Sequence, residues 1–183
     1  MNDFLDIAAL FFMGLGCLVV ISFLYLFKER WLELVFVRNK NLKNKSDHEL
    51  HSCFLTALTS IASFILFQHL LDYLYELHMD KMIRRQIYYF IAACGNASFI
   101  IALTLLHAIR ECTFSSVARY ACYMSLAAMM IKTLQLVLHG YLDISIFNFY
   151  YNISIFCLSS AQTLLVAKYP FNLLMQRKYA KEY

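Results

Sequence analysis

The chain has 183 residues, 61% of them hydrophobic and only 15% charged, with a net charge of +4. Soluble domains carry roughly a quarter charged residues, so this balance excludes an ordinary soluble globular protein and points to a membrane. The positive excess is no nucleic-acid footprint, because the basic residues gather at the ends of apolar runs and not along one polar face.

Residues 1–6 are short and acidic, and Asp3 and Asp6 stand where a secretory leader would carry basic residues. The following apolar run, rich in Phe and Leu, is read as a retained first span over 5–27. Residues 28–51 form a basic loop with Lys28, Arg30, Arg38, Lys40, Lys43 and Lys45. Its first part sets Trp31, Leu34 and Val35 on one helical face, as an interfacial anchor would. Its polar part, 39–47, has a loop-like composition.

Further spans are expected over 52–71, 86–109, 120–141 and 144–167, each long enough to cross a hydrocarbon core about 30 Å thick. They are separated by a charged turn at 78–85, a turn at 113–119 and a tight turn at 139–143. Pro170 stops or bends the helix just past the last span, and 168–183 makes a basic tail containing Arg177 and Lys178. The expectation is a single all-α domain over 1–183, a polytopic membrane helical bundle of five transmembrane helices.

Orientation follows from Lys and Arg in the loops. Twelve lie in the 28–51 loop, the third-to-fourth turn and the tail, against three in the second-to-third turn. This bias puts the N-terminus outside and the C-terminus in the cytoplasm of a bacterial-type inner membrane.

Helices in lipid associate through small residues four apart. The chain offers Ser52-Thr56-Ser60, Ala93-Ala97, Ala121-Ser125 and Ser159-Thr163-Ala167. The first span has only Gly14 and Gly16 among bulky residues, which predicts a peripheral position or a contact with a second subunit. Tyr73, Tyr75, Tyr88, Tyr89, Tyr141, Tyr150 and Tyr151 are expected as belt residues at the outer boundary.

The fourth span carries the most informative pattern. At 100° per residue, Ala121, Ser125, Ala128, Lys132, Gln135 and His139 share one line. An ammonium within a hydrocarbon slab is costly and should face protein or water. Lys132 lies about 12 Å below the outer boundary, at the level expected for Asn148 and Asn152 on the antiparallel fifth span. Gln68 and His69 on the second span and Asn96 on the third complete a polar pocket or pore centred on Lys132, with Asp72 and Glu76 as counter-charges.

Other chemistry finds less support. The six cysteines are isolated, with no C-x-x-C pair, and read as small hydrophobes without disulfides or a metal. His48, His51 and Cys53 lack zinc spacing. His51 with His107, and His69 with His139, are the pairs that a b-type haem would use. No G-x-S-x-G or Gly-rich phosphate loop occurs, and the spans lack the Gly or Pro breaks of alternating-access carriers.

The reading is a non-enzymatic sensor or anchor subunit without a cofactor. Its partners are the lipid bilayer and a cytoplasmic protein or further copies of itself, never nucleic acid directly. Arg38, Lys40, Lys43, Lys45, Arg177 and Lys178 form the contact surface. The alternatives are a homo-oligomeric ion-conducting pore lined by the Lys132 helix, or a haem b redox subunit.

Overall fold

The computed structural model describes residues 3–26, 28 and 45–182, with side chains described for 10–26, 28, 47–173 and 175. Five helices make an all-α bundle. They are α1 (Asp3–Leu26), α2 (Lys45–Glu76), α3 (Lys81–Arg110), α4 (Ser116–Gln135) and α5 (Asn148–Glu182), with a π-helical turn (Leu136–Tyr141) closing α4. Each helix packs on its neighbour in sequence, and α1 packs on α5 to close the ring.

α2, α3, α4 with its π-turn, and most of α5 are each long and apolar enough to cross a membrane, the mark of a multi-pass membrane protein. In α1 the described apolar stretch is the shorter Leu10–Leu26. Large apolar side chains such as Leu66, Phe90, Ile101, Leu105, Met130, Leu134 and Leu164 stay exposed around the outside of the bundle. In water such a surface would aggregate; in lipid it needs no cover.

The core sits around α2, the most buried of the long helices. One cluster joins Val19 and Phe23 of α1 to Cys53, Phe54 and Ala57 of α2, Val117 of α4 and Val166 of α5. A second joins Leu55 of α2 to Phe99 and Leu103 of α3 and Ala118 and Ala121 of α4. α1 is therefore part of the bundle and not peripheral. Phe23 is fully buried, stacks on Tyr169 and meets Phe54 edge-on. Gly16 lets α2 approach so closely that a Cβ there would sit 2.9 Å from Ile61 Cδ1. Bulky side chains serve as knobs, and one missing side chain makes the hole.

Boundaries depart from expectation where polar residues continue a helix. α2 begins at Lys45, so His48 and His51 belong to a helix and not to the basic loop. Trp31, Arg38, Lys40 and Lys43 lie outside the described residues, as do the side chains of Lys45, Arg177 and Lys178. Pro170 is buried and does not end α5, which runs on through the basic tail. Its ring removes one backbone hydrogen bond, a defect that packing tolerates within a bundle.

On α3 the inward face is Tyr89, Ala92, Gly95, Phe99, Leu103 and His107. The pair Ala93 and Ala97 is only half-buried. The small residue that counts is Gly95, over which the Phe67 ring lies, 3.0 Å from where a Cβ would stand.

Two turns are fixed by their own chemistry. Arg84 donates to the carbonyls of Leu77 (3.1 Å) and Met79 (3.3 Å), tying off the end of α2. α3 ends in a left-handed Glu111 (φ 51°), with the Glu111 and Cys112 N–H groups returning to Ala108 O and His107 O. That pairing closes the helix as a Schellman motif does, with an unusual non-glycine residue at the left-handed position. Four residues later the Ser115 hydroxyl caps α4 by accepting from Ala118 N–H at 3.1 Å.

Candidate functional site: a lysine-bearing chamber between the helices

The stripe on α4 faces inward. Ala121, Ser125 and Gln135 are buried, and Lys132 is half-buried on the wall of a chamber of about 270 Å³ between the helices. All five helices contribute walls: Phe12 and Gly16 from α1, Phe64 and Phe67 from α2, Asn96 from α3, and Gln162 from α5 are among them. Ser125 and Lys132, in the middle of the polar line, thus face the chain's own helices.

Lys132 Nζ donates to the Ala92 carbonyl at 3.2 Å. With the Asn96 amide turned so that both of its polar atoms are satisfied, its oxygen accepts from Lys132 Nζ and from Met129 N–H, each at 3.2 Å. Two of the three ammonium hydrogens are thereby fixed on α3. Two turns along, Ser125 Oγ donates to Gln162 Oε1 of α5 at 3.5 Å. Among the described residues no acidic side chain stands on the chamber walls. Asp72 and Glu76, expected as counter-charges, are exposed, and Asp72 accepts from Gln68 Nε2 at 3.1 Å. They sit past the end of the apolar part of α2, where solvation costs nothing.

The remaining predicted residues divide. Asn96, Gln68 and Lys132 line the same chamber. Gln135 donates to Asn148 in a separate pair nearer the helix ends. That pair and Ser125–Gln162 bracket Lys132 and put Asn152 at its level, yet the walls at that turn are Tyr151 and Ile155, not Asn152. His139 is half-buried, with its ring 6.0 Å from that of Tyr89, and His69 is exposed on the outer face of α2; neither lines the chamber.

Tyr88, Tyr89 and Tyr151, expected at the outer boundary, turn toward one another within the bundle. Tyr89 meets Tyr88 and Tyr151 edge-on at 5.3 and 5.5 Å, and Tyr88 and Tyr151 line the chamber. Beyond them Arg85 pairs with Asp143, and Gln86 donates to Gly140 O at 3.0 Å, binding α3 to the π-turn.

A second polar centre lies at the opposite end of the bundle and was invisible to pattern reading. Ser52 of α2 is fully buried, with its Oγ 2.8 Å from His107 Nε2 of α3. His107 Nδ1 lies 2.8 Å from Leu103 O, so it carries the proton and leaves Nε2 to accept from the Ser52 hydroxyl. Ser52 Oγ in turn accepts from Ser115 N–H (2.9 Å) and lies 3.0 Å from Ser115 Oγ, toward which Cys53 Sγ donates at 3.6 Å. The His107 ring stacks on Phe114 at 4.0 Å.

A hydroxyl on an imidazole nitrogen is the pairing of a nucleophile with its base. Here the serine has no exposed surface and the imidazole is 2% exposed, which leaves no room for a substrate. The network works as a clasp between α2, α3 and the start of α4. It also occupies both nitrogens of His107, one of the four histidines a haem would have drawn on. Among the described residues no group of three His, Cys, Asp or Glu side chains converges as a metal site.

Comparison with protein-family models, curated proteins and solved structures finds no match. The chamber and the clasp are therefore read from their own chemistry.

Proposed function

We propose that this chain is a non-enzymatic sensor or anchor subunit of a bacterial-type inner membrane, and that its chamber takes a small ligand. In this reading all five helices cross the bilayer, with the N-terminus outside and the C-terminus in the cytoplasm. The basic segments around Arg38–Lys45 and Arg177–Lys178 engage a cytoplasmic protein partner. The observation that carries the reading is the chamber walled by every helix of the bundle, with one lysine on it. Occupancy of such a space bears on all five helices at once. Intramembrane ionisable groups commonly mark functional sites, and continuous helices suit a sensor better than a carrier.

Two measurements test it. Reporter fusions to the two ends are expected to fall in opposite compartments; the same compartment for both would remove the fivefold crossing. Cross-linking in native membranes is expected to capture a partner that is lost when residues 39–47 are replaced by Gly and Ser. Capture unaffected by that replacement, or no partner at all, contradicts the recruitment role.

A further inference from the structure

We infer that the chamber binds a small organic monoanion, a carboxylate head on Lys132 with a short apolar body against the aromatic walls. The inference rests on the reading of the chamber as a ligand site and adds the ligand's charge, shape and size.

Charge comes first. Among the described residues the chamber walls carry one ionisable cation and no carboxylate, and no acidic group pairs with Lys132. An ammonium in a low-dielectric interior without a counter-ion is strongly unfavourable, and an anion of good geometry beside it offsets part of that cost. The neutral oxygens of Ala92 and Asn96 orient the group without neutralising it. The third N–H is left for the chamber. A charge held in place before the ligand arrives loses little freedom on binding.

Shape follows from the opposite wall. Phe64 and Phe67 of α2 stand at the level of Asn96 and Lys132, the Phe67 ring lying over Gly95, and Ile155 of α5 and Phe99 of α3 continue the apolar surface. An inorganic anion would leave these rings without a partner. Size completes the description. About 270 Å³ lies just below the range of drug-sized sites, roughly 300 to 1,000 Å³. That suits an acid the size of octanoate.

Equilibrium dialysis of the purified protein in nanodiscs, with octanoate, octanol and octylamine as probes of one chain length, tests the assignment. Saturable binding of one octanoate per chain is expected, weakened at least tenfold by Lys132→Met and largely restored by Lys132→Arg, with octylamine excluded. Ser63 of α2 is a further wall residue, and Ser63→Phe, which fills the chamber and keeps the lysine, is expected to abolish octanoate binding; unchanged binding there would overturn the inference, and preference of the wild type for octanoate over octanol decides the charge if the Met variant does not fold. Octanoate and octanol binding alike, and indifferent to Lys132→Met, would overturn the anion assignment and leave the chamber as a ligand site. Failure of all three probes to bind the folded wild type would overturn both.

Discussion

The clasp and the chamber are two solutions to the same problem of keeping polar atoms between helices. At Ser52, His107 and Ser115 each hydroxyl and each imidazole nitrogen meets a partner from its own chain, and no space remains. At Lys132 the partners are neutral, no counter-charge stands beside it among the described residues, and a cavity opens there. Buried polar groups are stabilising only when satisfied. The first arrangement therefore holds the fold together, while the second draws on stability that the rest of the fold supplies.

Breaking the clasp should have the largest effect. Ser52→Ala leaves His107 Nε2 and Ser115 N–H without their partner, and a loss of about 2–3 kcal/mol is expected in reversible unfolding by SDS. Crowding the α1–α2 contact comes next. Gly16→Val drives a side chain against Ile61 and is expected to cost about 1–2 kcal/mol, most of it recovered in the double variant with Ile61→Ala.

Lys132→Met should do much less. Removing a lone charge from an apolar site is expected to leave stability within about 1 kcal/mol of the wild type, in contrast to its effect on octanoate. A Lys132→Met variant as destabilised as Ser52→Ala would erase the distinction between the two centres. The smallest effect is expected at the exposed Arg85–Asp143 pair. Asp143→Asn, which keeps a residue tolerant of the left-handed backbone found there (φ 53°), should cost about 0.5 kcal/mol or less and lose its effect in high salt.

Much of the fold was legible because lipid imposes a simple rule: backbone groups must be satisfied within each segment, so length and apolarity reveal a span. The same periodicity put Ser125, Lys132 and Gln135 on one inward line, as found. What periodicity cannot give is the rotation of the neighbouring helices. Ala93 and Ala97 looked like the packing face of α3, yet Ala92 and Gly95 are buried in their place. Asn152 was placed at the right level, but the chamber wall there is Tyr151 and Ile155. The clasp was beyond reach for another reason. Its members are 55 and 63 residues apart, and a serine or a histidine at a helix end has no spacing that announces a partner.

The length of α5 has a mechanical consequence. Thirty-five residues make a rod of about 52 Å, whereas the hydrocarbon slab is about 30 Å deep. Tyr151, Ile155, Ser159 and Gln162, on its first half, touch the chamber, and the remainder continues as helix past Pro170, where one backbone hydrogen bond is missing. A slight tilt at the end that feels the chamber would be carried toward Arg177 and Lys178 at the far end, with Pro170 as the point between them where the rod can bend.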